Sequence, residues 1–305
     1  MMPLLRLLLL ITLLSSCTSP DKSSETAEKN PMNRPEVQRV LFRPRAATRT
    51  ALPTGATDID IEIEPGITIG CRLFTADKTA PTILYFHGNG EIVADYDDIG
   101  PLYMQAGLNL LVTDYRGYGW SSGSPSFTTL LTDSHVLYDK LKQHLAANGY
   151  SPTLFLMGRS LGSACAIELA ASHNSEISGL LIESGFALTL PLAETLGLGT
   201  QLKGMAITEE QTFNNAGKIS TVTKPTFLLH GQRDTLIPLW QAEKLHAECG
   251  ARSKELQVVP GADHNSLIAV GGKYYFQAIS RFINQVTGAD DWRRRRKQFK
   301  EAQGQ

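Results

Sequence analysis

The sequence predicts an α/β fold: a mostly parallel sheet with an antiparallel hairpin at its N-terminal edge and helices on both faces. Three observations predict it. Short, nearly continuous apolar runs end in glycine-containing turns, the pattern of parallel strands buried on both sides. Stretches of helical character separate these runs, so strand and helix alternate along the chain. Ahead of them, two segments of alternating apolar and polar residues flank Pro65-Gly66, as in a hairpin with one wet face.

The hairpin covers residues 57–64, where Ile59, Ile61 and Ile63 alternate with acidic residues, and 67–74. Parallel strands are expected at 82–86, 109–113, 153–157, 178–182, 226–229 and 255–259, and helices at 129–147, 161–172, 238–249 and 271–286. In such a doubly wound sheet, sites collect beyond the carboxyl ends of the strands. Residues 186–220 are long for a strand connection and carry Leu188, Leu190, Leu192, Leu196, Leu198 and Leu202, which points to a small helical cap. A chain of 305 residues, 42% of them apolar, can bury one large core, so one catalytic domain is expected over 57–287. Its 29 basic and 30 acidic side chains create no global field toward nucleic acid, and that class of partner is not expected.

Residues 1–16 have the form of a signal peptide: a basic Arg6, an apolar run over 7–14 broken by Thr12, then Ser15 and Ser16. The run is too short to span a bilayer. Leu14-Ser15-Ser16-Cys17 resembles the bacterial lipobox, in which cleavage precedes a lipid-modified cysteine. This resemblance implies a mature chain that begins at Cys17 and is held to the cell envelope by acyl chains. Each buried methylene contributes about 0.8 kcal/mol, and stable anchoring takes more than one chain. Thr18, where inner-membrane lipoproteins carry aspartate, implies the periplasmic side of the outer membrane. Residues 17–56 are expected to be the lipidated N-terminus and a flexible tether, because 18–35 are polar and hold Pro20, Pro31 and Pro35. Residues 288–305 make a basic tail containing Arg293-Arg294-Arg295-Arg296-Lys297, either a solvated helical end or a contact for acidic lipid head groups.

With Cys17 lipidated, Cys71, Cys165 and Cys249 remain, so at most one disulfide can close, and no Cys-x-x-Cys spacing suggests a metal. Neither a metal nor a cofactor is expected.

The chemistry is concentrated in three turns. Gly158-Arg159-Ser160-Leu161-Gly162 follows an apolar strand and precedes an alanine-rich helix, the setting of a nucleophile elbow. There a strained turn lifts the Ser160 hydroxyl above the sheet, and Gly158 and Gly162 let the backbone bend. Serine is a weak nucleophile at its own pKa and needs a base, itself oriented by an acid. His264, in Gly261-Ala262-Asp263-His264-Asn265 after a late strand, is the base, and Asp234, in His230-Gly231-Gln232-Arg233-Asp234, is the acid. Two rival acids were open: Asp263, whose side chain should diverge from its neighbour's, and Asp114, which should instead hold its own loop, Asp114 to Gly119. An oxyanion intermediate wants preorganised backbone donors. The amide of Leu161 is one, and Asn89 in the glycine turn His87-Gly88-Asn89-Gly90 is the other, with His87, Gly88 and Gly90 supporting the loop.

Tyr85-Phe86-His87-Gly88-Asn89-Gly90, Asp114-Tyr115-Arg116-Gly117-Tyr118-Gly119, the serine motif, the His230 to Asp234 segment and Gly261 to Asn265 occur in that order. With them the chain resembles the α/β-hydrolase family that includes serine aminopeptidase-like, dienelactone-hydrolase-like and Bem46-like hydrolases. The resemblance spans 57–287 and implies the α/β-hydrolase fold, in which Ser, Asp and His follow one another along the chain. Some eukaryotic relatives resemble protein depalmitoylases, which implies an ester or thioester bond. The expected function is therefore hydrolysis of a carboxylic ester or thioester in a small-molecule or lipid-like acyl substrate, through an acyl-enzyme. A serine peptidase or amidase is the second reading, and a non-catalytic envelope scaffold the third. The apolar residues of the cap could line an acyl pocket or belong to the core.

Overall fold

A computed structural model describes residues 30–199, 202 and 205–289. The expected signal peptide, Cys17 and the segment 17–29, and the tail from 290 onward with Arg293 to Lys297, lie outside the described residues.

Eight strands form one sheet: β1 (Ala56–Glu64), β2 (Ile67–Phe74), β3 (Thr82–Phe86), β4 (Asn109–Thr113), β5 (Leu154–Arg159), β6 (Gly179–Glu183), β7 (Thr226–Gly231) and β8 (Lys254–Val259). Their order is β1-β2-β4-β3-β5-β6-β7-β8. β1 and β2 form the antiparallel hairpin, β2 joins β4 antiparallel, and the other neighbours are parallel. The described helices are α1 (Pro35–Leu41), α2 (Gly100–Gln105), α3 (Phe127–Ala147), α4 (Gly162–Ser172), α5 (Thr189–Thr195), α6 (Asn215–Ile219), α7 (Leu239–Glu248), α8 (Leu267–Gly271) and α9 (Lys273–Thr287).

The period of two along each strand sorts side chains to opposite faces. Leu84, Phe86, Leu156, Ile182 and Leu228 join one core with α3 and α4, while Ile83, Tyr85, Phe155, Met157, Leu181 and Phe227 join a second with α2 and α9. Both faces of the central strands are therefore dry, which is why they read as continuous apolar runs.

The cap appears as α5, a 3₁₀ turn at Glu209–Gln211 and α6. It is tied down at both ends of its entry: the Glu209 carboxylate accepts from the amides of Thr189 (2.9 Å) and Leu190 (2.8 Å), and Gln241 Oε1 accepts from those of Ala187 and Leu188, both at 2.9 Å. Cys71, Cys165 and Cys249 are buried and unpaired. Burial pushes the Cys71 thiol up to about 12 and raises that of Cys165 as well, so neither offers a thiolate at neutral pH.

The expected tether over 17–56 needs correction from residue 30 onward. Met32, Val37, Leu41 and Phe42 are buried in the core beneath α3. Burying each such side chain contributes about 1.5–3 kcal/mol, enough to order a short polar-looking segment. Gln38 accepts from the amide of Phe127 at 3.1 Å, and Asn33 Nδ2 donates to Thr128 Oγ1 at 2.6 Å, so the arm also fixes the start of α3. Further on, Ala47 N donates to Gly119 O (2.7 Å) and Gly119 N to Arg45 O (2.9 Å). Residues from Met32 to Phe42 are thus part of the packed domain, which extends upstream of Thr57.

Candidate active site

β5 ends at Arg159 and α4 starts at Gly162, leaving Ser160 and Leu161 as the turn between them. Ser160 has φ of 50°, the left-handed region that non-glycine residues avoid. The turn is held there by its neighbours: Ser160 N donates to Glu183 O at 2.9 Å, and Ser163 Oγ donates to Ser160 O at 2.6 Å. Gly162 is required by proximity, since a Cβ at that position would stand 2.0 Å from the carbonyl oxygen of Phe86. Gly162→Ala is therefore expected to push α4 off β3, lowering stability by about 1–3 kcal/mol or more; thermal denaturation followed by circular dichroism checks it.

The sheet brings Ser160, Asp234 and His264 to one place. His264 Nε2 lies 2.9 Å from Ser160 Oγ, and His264 Nδ1 lies 2.7 Å from Asp234 Oδ2. All three are buried. Asp234 Oδ1 accepts from the amides of Leu236 (3.0 Å) and Ile237 (2.8 Å), which leaves Oδ2 for the histidine. A carboxylate can only accept, so Nδ1 of His264 carries the proton and Nε2 presents a lone pair to the serine hydroxyl. His230 stands behind the acid, its Nε2 2.7 Å from Ile237 O and 3.5 Å from Asp234 Oδ2. Burial, only partly offset by the Ile237 carbonyl and the Asp234 charge, holds the His230 imidazole below its ordinary value, so it is neutral and donates to Ile237 O.

The rival acids are engaged elsewhere. Asp263 caps its own turn, accepting from Ser266 Oγ (2.7 Å) and Asn265 N (3.0 Å). Asp114 accepts from Val93 N at 2.9 Å and lies 3.0 Å from His87 Nε2, so it braces the turn after β3 as well as opening its own loop. His87 Nδ1 closes on Gly88 O at 2.9 Å, and its ring packs edge-on against Tyr115.

The side chain of Asn89 holds the N-terminal arm: Oδ1 accepts from Arg43 N and from Tyr118 Oη, both at 2.8 Å, and Nδ2 donates to Leu41 O at 3.1 Å. Its backbone amide, like that of Leu161, donates to no acceptor among the described residues. Both residues border the same cavity, of about 50 Å³, with Ser160 and with Leu41, Phe186, Leu192, Phe213 and Ile237. Cap and arm supply much of its apolar wall, with Leu161, Leu236 and Ile237 completing it.

Reading the sequence passes over Glu91, Arg159 and Glu183, which surround the back of this site. Arg159 and Glu183 close strands that are otherwise apolar, and that break in pattern is the signal that marks them.

Comparison with known proteins places the chain. A family model described as serine aminopeptidase, S33, matches residues 77–195, a span that includes Ser160 and stops before Asp234 and His264. The protein bem46 of Schizosaccharomyces pombe is 30% identical over 209 residues, 68% of either chain. Among solved structures, an esterase of Pyrococcus furiosus superposes with a TM-score of 0.65 at 20% identity over 80% of this chain and 99% of its own. A soluble variant of the monoglyceride lipase of Saccharomyces cerevisiae gives 0.62 at 19% identity over 78% and 96%. At these identities the structural likenesses speak to the fold, whereas the match to bem46 speaks to descent. The chain belongs to the α/β-hydrolase family of bem46.

Proposed function

We propose that this chain is a serine hydrolase that cleaves a carboxylic ester or thioester through an acyl-enzyme on Ser160. The observation that carries the reading is an unbroken hydrogen-bond chain, Asp234 to His264 to Ser160, opening into an apolar cavity. As Ser160 Oγ attacks the acyl carbon, its proton passes to His264 Nε2, and the imidazolium that forms is stabilised by Asp234. The carbonyl oxygen becomes an oxyanion, for which the amides of Leu161 and Asn89 are the donors. Collapse of the tetrahedral intermediate breaks the bond to the alcohol or thiol, which leaves with the proton from His264. Water then repeats the sequence on the acyl-enzyme, releasing the acid and restoring the serine.

The cavity favours an acyl group over a charged amino-terminal residue, because among the described residues none that borders it is a carboxylate able to receive an ammonium. Its size suits short acyl chains. A panel of p-nitrophenyl esters is expected to give the highest kcat/KM at about two to four carbons, and Leu192→Ala, which removes one wall, is expected to move that optimum to longer chains. Faster turnover of aminoacyl amides than of acyl esters by the same preparation would overturn the ester reading.

The envelope location belongs to the same proposal. It rests on the Leu14 to Cys17 tetrad. Metabolic labelling with a fatty acid is expected to mark the wild-type chain and not Cys17→Ser.

A further inference from the structure

The turn that carries Gly88 and Asn89, the elbow that carries Ser160 and the loop that carries His264 come from three distant parts of the sequence. Their mutual placement decides whether the hydroxyl, the imidazole and the oxyanion donors act on one carbon. One pair of charged side chains touches all three. Arg159, buried immediately before the nucleophile, donates from Nη2 to the carbonyl oxygen of His264 at 2.8 Å and to Asn265 Oδ1 at 3.0 Å. Its Nη1 donates to Glu91 Oε1, and its Nε faces Glu183 Oε1 at 3.3 Å. Glu91 Oε2 in turn accepts from the amide of Gly88 and from Tyr96 Oη, both at 2.8 Å. Glu183 is buried on the neighbouring strand and accepts from Tyr275 Oη, on α9, at 2.5 Å.

We propose that Glu91 and Arg159 are positioning residues for the reaction, a part-buried strut that fixes the oxyanion turn and the histidine loop to the nucleophile elbow. The proposal rests on the reading of Ser160 and His264 given above. Neither residue reaches the reacting atoms: Arg159 holds His264 by its main chain, and Glu91 holds the residue before Asn89. Guanidinium suits the task because its planar fork of five donors faces two carboxylates, the His264 carbonyl and the Asn265 side-chain oxygen at once, four acceptors against the three N–H donors of an ammonium. The electrostatics agree. Burial alone would push the Glu91 carboxyl up, and the Arg159 charge with the Gly88 amide overcomes it and holds the group below its ordinary value. Arg159 bonds directly to Glu91, while its Nε stands 3.3 Å from Glu183, so the closer charge pair is the one with Glu91. Gly88 leaves room for this contact, since a Cβ there would stand 2.6 Å from Arg159 Nη1.

The test uses the full chain and its Glu91→Gln, Arg159→Lys, Arg159→Met and Glu91→Gln/Arg159→Met variants, with Ser160→Ala as control. Active sites are counted by stoichiometric labelling with a fluorophosphonate, and kcat and KM are measured on a short p-nitrophenyl ester per labelled site. Misplacing catalytic groups by about an ångström costs on the order of 10²-fold. Arg159→Met and Glu91→Gln are therefore each expected to lower kcat by about 10- to 100-fold, with KM held within about threefold. Arg159→Lys should recover only part of this, and the double variant should be no slower than the slower single, because both changes open the same strut. If the variants lose thermal stability while kcat per labelled site stays at the wild-type value, or if the two effects multiply, the proposal is overturned. Should Arg159→Met not fold, Glu91→Gln and Arg159→Lys, which nearly conserve volume, decide it on the same criterion. Equal labelling of wild type and Ser160→Ala would instead remove the reading of the nucleophile, a separate outcome from a defect confined to kcat.

Discussion

Ser160→Ala is expected to reduce ester hydrolysis by about 10⁴-fold or more while leaving thermal stability within about 1 kcal/mol of wild type. The rate loss follows because the proposed reaction runs through a covalent bond to Oγ, and alanine has nothing to offer the acyl carbon. What remains is the rate supported by the oxyanion donors and binding alone. Stability is spared because, among the described residues, the side chain of Ser160 bonds only to His264, while the strained turn is held by its backbone contacts to Glu183 and Ser163. Hydrolysis of a short p-nitrophenyl ester, read beside a melting curve, measures both. A variant that keeps a tenth of the wild-type rate would show that the nucleophile lies elsewhere.

Asp234→Asn carries the second large effect, and its sign can be worked out from the hydrogen bonds. The Leu236 and Ile237 amides need an acceptor, so the asparagine oxygen takes the place of Oδ1 and the NH₂ group faces His264 Nδ1. That NH₂ group donates, which forces Nδ1 to accept and moves the ring proton to Nε2. Nε2 then points a hydrogen at Ser160 and cannot take its proton. A loss of about 10⁴-fold in kcat is expected from the wrong tautomer alone, with substrate affinity little changed. The fold should persist, because the amides remain satisfied. Steady-state kinetics with a circular dichroism control test this, and a loss below about tenfold would mean that Asp234 does not orient the base.

Much of the fold could be read from the residues because it is written in short-range pattern. The strands at Thr82–Phe86 and Asn109–Thr113 coincide with their apolar runs, since each lies between two dry faces. The serine turn was legible for a related reason: glycine on either side of a serine between strand and helix has few other uses. What escaped depends on partners far away in the sequence. The arm at Pro35–Leu41 has two buried residues, Val37 and Leu41, in one short helix, too few for a periodic signal, and its order comes from contacts with α3 and the turn at Asn89. The cap residues were open between core and pocket, and Phe186, Leu192 and Phe213 serve both, buried and yet facing Ser160. Arg159 occupies the variable place of its motif. Its significance exists through Glu91 and the carbonyl of His264, 68 and 105 positions away.

The measurement that bears most directly on the account is the site of covalent modification. After reaction with a fluorophosphonate, the intact chain is expected to gain one adduct, and peptide mapping should locate it on Ser160 rather than on Ser163 or Ser184 nearby, with reaction slowed by about 10³-fold or more in His264→Ala. An adduct on another residue, or one that forms as fast without the imidazole, would contradict it.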